Sequence, residues 1–178
     1  LTSSNTIKFR IIDTAGNSGL VASQIITIDT ATPTITSFST TTTTGYYKEG
    51  TTIPITANIS ETILSGSSIS VTLNTLDIIT LTAPADGTTM TGTYIVSAST
   101  NISQLEVTSF TIINVNDLAG NSMTSTILPA GSNMFSNKII VIDTVAPFIS
   151  INIESLSWGT NLNNVEASAS KTITATTV

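Results

Sequence analysis

Apolar and polar residues alternate with a period of two along much of this chain, and the alternating runs return about every ten residues, the pattern of half-buried β-strands. Ile53-Pro54-Ile55-Thr56-Ala57-Asn58-Ile59 is the clearest run, and Ile69, Val71 and Leu73 form the next. Runs over 34–38, 78–81, 90–96, 105–115 and 138–142 bring the total to about seven or eight strands, each bounded by Gly, Pro, Asn, Asp or Ser. Pro54 cannot donate to a ladder, so it is expected outward or near an edge. No stretch carries a 3.6-residue period, so helices should be few or single turns.

The pattern also repeats at long range. Asp13-Thr14-Ala15-Gly16-Asn17 returns as Asp117-Leu118-Ala119-Gly120-Asn121, and Ile28-Asp29-Thr30-Ala31-Thr32-Pro33 as Ile142-Asp143-Thr144-Val145-Ala146-Pro147. The second pair of signatures is 114 residues apart and the first 104, so the later copy holds ten additional residues, around Leu128-Pro129-Ala130-Gly131-Ser132-Asn133, which a longer hairpin loop would absorb. Such a period is too long for small solenoid repeats and suits an immunoglobulin-like β-sandwich of about 100 residues. The expectation is an all-β chain of immunoglobulin-like sandwich modules in tandem. Residues 1–32 would be the C-terminal strands of a preceding module, 33–146 a complete module and 147–178 the N-terminal strands of a following one. Leu1 begins mid-pattern without a charged or apolar leader, so the chain reads as a window of something longer.

Composition narrows the chemistry. The chain has no Cys and no His, which removes disulfides, Cys/His zinc sites, cysteine nucleophiles and the Ser-His-Asp relay. Charged residues are only 9% of the total, against about 25% in an average domain, and Thr takes roughly one position in five. β-Branched side chains favour a pleated backbone, in keeping with the alternation. Five Lys and Arg against eleven Asp and Glu leave a net charge of −6, so nucleic acid and anionic membranes are not expected partners. No apolar run approaches the roughly 18 residues of a membrane span, and no membrane insertion is expected.

Asp13, Asp29, Asp117 and Asp143 each end an apolar strand where a turn begins. One reading is purely local: such an Asp accepts hydrogen bonds from the backbone two residues on, and the following Ala-Gly-Asn supplies a glycine able to take positive φ. The functional reading places the Asp after one strand and the Asp before the Pro together at a module junction. Carboxylates with Asn and backbone carbonyl oxygens make a hard-oxygen shell suited to Ca²⁺, which would relieve the repulsion between acids that have few cations to pair with. Asp29 to Pro33 and Asp143 to Pro147 leave almost no linker, so consecutive modules should stack as a semi-rigid rod whose angle Ca²⁺ fixes. Other groupings are better explained without chemistry. Glu49, Glu61 and Asp86 suit turn and edge positions more than a glycosidase pair, and Tyr46, Tyr47 and Trp158 suit packing more than a sugar platform. Asn58-Ile59-Ser60 and Asn101-Ile102-Ser103 fit a short glycosylation sequon, and Lys8, Lys48 or Lys138 could enter an isopeptide crosslink only with a strand Asn and an acid opposite.

Gly45-Tyr46-Tyr47-Lys48-Glu49-Gly50, the run 53–60 with Glu61, Leu105-Glu106-Val107-Thr108-Ser109-Phe110 and Asp117-Leu118-Ala119-Gly120-Asn121 together resemble the bacterial Ig-like repeats of giant cell-surface adhesins. Trp158-Gly159-Thr160-Asn161-Leu162-Asn163 with Glu166-Ala167 resembles the opening of the module found in biofilm-associated proteins. The resemblance implies an extracellular stalk anchored at the bacterial cell surface, with Ca²⁺ held at module junctions by Asp13, Asp29, Asp117 and Asp143. At Gly50-Thr51 the chain departs from the pattern, which often has an Asp after the Gly, so an additional ligand is missing there. The expected function is a non-enzymatic spacer that supports cell adhesion or biofilm formation, its partners being the neighbouring Ig-like modules of the same protein. The alternative is a subunit of an extracellular filament or surface layer, in which identical chains join by strand complementation.

Overall fold

Two-residue alternation becomes eleven strands in the structure, a computed structural model that describes residues 2–131 and 138–148. They are β1 (Thr2–Phe9), β2 (Ala22–Asp29), β3 (Ile35–Ser39), β4 (Gly45–Tyr47), β5 (Thr52–Ile63), β6 (Ser68–Leu73), β7 (Ile78–Thr82), β8 (Gly87–Ile95), β9 (Asn101–Ile102), β10 (Val107–Asn114) and β11 (Ile140–Asp143). The protein is all-β: among the described residues 53% lie in strands or isolated bridges and none in a helix. The chain divides into two compact units, Leu1–Thr144 and Val145–Val178; the expected third piece, 147–178, lies outside the described residues beyond Phe148.

The main sheet is antiparallel with strand order β10-β6-β7-β8-β5-β3. Its inner face is the apolar half of each alternation: Ile53, Ile55, Ala57 and Ile59 on β5, Ile69, Val71 and Leu73 on β6, Leu81 on β7, Met90 and Tyr94 on β8. β3 and β10 stand at opposite ends of this order, yet the rings of Phe38 and Phe110 meet edge to face with centroids 6.0 Å apart. The sheet therefore curls until its two edges face each other across a common core. A second sheet of order β4-β11-β9 carries Ile140 and Ile142 into that core, which fits a β-sandwich.

Pro54 is exposed, as expected, and sits on β5, one strand in from the β3 edge of the sheet. Its carbonyl accepts a hydrogen bond from Thr40 Oγ1, on the β3 side. A residue's N–H and C=O point to the same side of a strand, and β3 pairing stops at Ser39 with Thr56, so the missing donor faces no ladder. Curling also brings β7 across β8 at Gly92, where an added Cβ would fall on the Thr80 carbonyl oxygen and 2.6 Å from Leu81 Cδ2. Gly92→Ala should cost about 2 kcal/mol through overpacking, read as a lower urea midpoint at unchanged slope.

The ten additional residues do not extend a hairpin. β1 and β2 pair over eight positions, from Thr2 with Asp29 to Phe9 with Ala22. Their later counterparts part company: β10 pairs with β6, while β11 runs parallel to β4 and antiparallel to β9. Residues 124–131 form no strand, and the added length lets the last strand cross to the other sheet. β4 and β9, of three and two residues, exist only as its partners.

Candidate metal centre

The two Asp-x-Ala-Gly-Asn segments fold into the same loop. In the first, Ala15 N–H and Asn17 N–H donate to Asp13 Oδ1 at 3.0 and 2.8 Å, and Asn17 Nδ2 donates to Asp13 Oδ2 at 2.8 Å. In the second, Ala119 N–H and Asn121 N–H donate to Asp117 Oδ1, each at 2.8 Å, and Asn121 Nδ2 donates to Asp117 Oδ2 at 2.8 Å. Gly16 and Gly120 supply φ of +88° and +92°, a conformation that a side chain would strain. The local reading of these acids thus holds in both copies. Asp29 makes a similar turn, accepting Ala31 N–H at 3.0 Å on the way to Pro33.

Only in the second copy does the loop meet another acid. β5 passes a register irregularity between Asn58 and Ile63, and a bridge between Ile63 and Asp117 then draws the loop against its end. Leu64 N–H donates to Asn116 O beside it. Asn121 Nδ2 also donates to the backbone oxygen of Asp29 at 3.1 Å, so one amide clasps both the loop and the last residue of the hairpin. As a result Asp29, Glu61 and Asp117 each present a carboxylate oxygen within 4.8 Å of the others. With Ca²⁺–oxygen bonds of about 2.3–2.6 Å, oxygens across one ion stand about 4.6–5.2 Å apart, so a single hard cation fits between these three.

Charge at the cluster is unbalanced. Asp117 is only 2% exposed. Desolvation, the largest single influence, pushes its pKa up, but hydrogen bonds from the Asn121 side chain and from the amides of Asn121, Ala119 and Gly120 together outweigh it and hold the carboxyl below its ordinary value. Asp13 is likewise lowered, chiefly by the Asn17 side chain. Glu61 moves the other way: desolvation, then the negative charges of Asp117 and Asp29, raise it. Its carboxylate accepts no hydrogen bond among the described residues, and no lysine or arginine side chain enters its surroundings. A divalent ion would supply the missing positive charge.

Of the four aspartates singled out by sequence, Asp29 and Asp117 converge. Asp13, in the loop between β1 and β2, and Asp143, at the end of β11, are not in the cluster. Glu61, read from sequence as a turn or edge acid, is the carboxylate of the cluster that reading missed. The signal was its phase: it continues the inward series Ile53, Ile55, Ala57, Ile59, where an apolar residue is expected. Elsewhere Asp86 Oδ1 is used by Ser65 N–H, Tyr47 packs on the core while Tyr46 is exposed, and Lys138 Nζ donates to Thr40 O at 2.7 Å. Asn58, the first sequon residue, gives its Nδ2 to Ser37 and Ser39. Trp158 lies outside the described residues. No family model, curated protein or solved structure matches the chain.

Asp117→Asn keeps the side-chain volume and one acceptor oxygen but removes the charge. It should abolish metal binding and also lower the melting temperature in chelator, whereas Asp29→Asn, which can still accept the Ala31 N–H, should lose binding without lowering the melting temperature in chelator, as paired thermal melts with and without metal would show.

Proposed function

We propose that this chain is a spacer segment of an extracellular bacterial stalk, built of Ig-like sandwich modules in tandem and stiffened by Ca²⁺ at the joint between them. One observation carries the reading: Asp29 at the end of β2, Glu61 on β5 and Asp117 in the loop after β10 present carboxylate oxygens within 4.8 Å of one another, and we read β2 as the close of one module and the other two as the body of the next. An ion there ties the units together rather than completing one of them. The four-residue step from Asp29 to Pro33 and the Asn121 clasp support a joint with little freedom even before metal binds. The oxygen-only ligand set favours Ca²⁺ over softer metals, and Mg²⁺, which demands tighter octahedral geometry, should bind more weakly. The role is mechanical, holding a distal adhesive region away from the cell surface; neighbouring modules are the partners.

Calorimetric titration of Ca²⁺ into metal-stripped protein tests this. One ion per chain in the micromolar range is expected, with no heat from an Asp29→Asn/Asp117→Asn double variant. Absence of heat with the unaltered protein would overturn the reading.

A further inference from the structure

We propose that β11 is the strand on which residues 33–144 resist tension, with β4 as its clamp: a pull between the two ends of this stretch loads the β4–β11 ladder lengthwise, and β11 leaves only when its rungs break together. The inference does not depend on the metal; that the chain is under tension at all rests on the spacer reading above.

Where the chain enters and leaves sets the direction of the pull. At the entry, Ser60 N–H donates to Thr34 O at 2.9 Å and Thr34 N–H donates to Ser60 Oγ at 3.0 Å, level with the later part of β5. From there the chain travels along β5 toward its first residue. Ser39 stands against Thr56, Thr40 Oγ1 donates to Pro54 O, and beyond β4 the Gly50 N–H donates to Val96 O, next to the Thr52–Ile95 pair. Ser60 and Thr52 lie eight residues apart on one strand, so the chain covers about 26 Å along it. β11 runs the same way, being parallel to β4, and ends with Asp143 against Asn101. A pull that separates Thr34 from Thr144 therefore lies along β4 and β11 and slides one past the other. Rungs loaded lengthwise share the force, whereas rungs pulled apart from one end fail one at a time.

The load on β11 is not passed to its neighbour in sequence. β2 pairs with β1 over eight positions, but among the described residues β11 makes no pairing with β10. It meets β4 at three positions and β9 at two, and side chains pin both of its ends. At the start, Lys138 Nζ donates to Thr40 O at 2.7 Å and Ile139 N–H donates to Thr44 Oγ1 at 3.2 Å, while Gly45 N–H donates to Ile139 O at 3.0 Å. At the end, Thr144 N–H donates to Asn101 Oδ1 at 2.9 Å and Thr144 Oγ1 donates to Thr100 O at 3.1 Å. At the other terminus β3 grips β5 at four positions, so β11, with three on β4, is the strand that yields first. When it slides, Ile140 and Ile142 leave the core with it.

The direction of the pull is the test, because both directions act on the same fold. The chain has no cysteine, so single-molecule handles attach only where one is introduced, and Thr32, Lys48 and Val145 are exposed. Thr32→Cys with Val145→Cys pulls the clamp lengthwise. Lys48→Cys with Val145→Cys separates the adjacent ends of β4 and β11 and peels the ladder from there. In EDTA and at one loading rate, the first pair should unfold at a force at least about twofold above the second, releasing about 350 Å of chain. Lys138→Met should lower the lengthwise force and leave the peeling force unchanged, since peeling begins at the opposite end of β11. A lengthwise force no higher than the peeling force, or one that Lys138→Met does not lower, overturns the proposal. Failure of the calcium titration would remove the metal joint and leave this force difference standing.

Discussion

Saturating calcium should raise the melting temperature of this protein by about 8 °C over the same protein in EDTA. For a dissociation constant of about 10⁻⁵ M and about 10⁻³ M free Ca²⁺, preferential binding to the folded state is worth about 2.7 kcal/mol. A domain of this size gains about 2–4 °C per kcal/mol. The control is built into the repeat. Asp13 sits in a loop with the same hydrogen bonds as Asp117 but has no acid opposite it in the cluster. Asp13→Asn should lower the melting temperature in both buffers and leave the calcium increment intact, whereas Asp117→Asn should erase the increment. Superimposable melts of the unaltered protein in calcium and EDTA would remove the joint from the account. Equal loss from Asp13→Asn and Asp117→Asn would restore the four-aspartate expectation against the three-carboxylate cluster.

That contrast shows how far the sequence reaches. Alternation located the strands of the main sheet because each residue's side is decided locally, by the two-residue period and burial on one face. The Asp-x-Ala-Gly-Asn loops were legible for the same reason: the acid, the glycine and the asparagine that build them lie within five residues. Convergence of Asp29 on Asp117 was legible from the repeated signatures, since each ends an apolar strand where a turn begins. What stayed hidden depends on long-range pairing. β4 forms because Ile140–Ile142 arrive alongside it from 95 residues away, and nothing in Gly45-Tyr46-Tyr47 announces a strand. The ten residues taken for a longer loop release β11 from β10, a change of partner that length alone does not reveal. Glu61 needed both kinds of information: its inward phase is local, but its acid neighbours come from the end of β2 and from a loop 56 residues on.

Glu61 also gives the sharper electrostatic prediction. Without metal, Glu61→Gln should stabilise the protein; with calcium it should destabilise it. In EDTA the variant removes one of three mutually repelling charges. Exposed charge pairs are worth at most about 1 kcal/mol, so the gain should be roughly 2 °C. In calcium it removes a ligand and should weaken binding at least about tenfold, a loss of about 1.4 kcal/mol that more than offsets the gain. The two melting curves therefore exchange order between buffers. Acid titration provides a second check. Folding raises the pKa of Glu61 above its ordinary 4.5, so its contribution to stability is full below 4.5 and disappears as pH rises through the folded value. Asp117 is lowered from 3.8, and its contribution is lost only as pH falls below that range. As pH falls from 7 toward 4.5 in EDTA, Glu61 thus governs the difference between the two proteins, and the unaltered chain should recover its deficit relative to Glu61→Gln on acidification. A variant less stable than the unaltered chain in EDTA at neutral pH would mean that the three carboxylates do not repel one another, and the need for a cation at the joint would go with that repulsion.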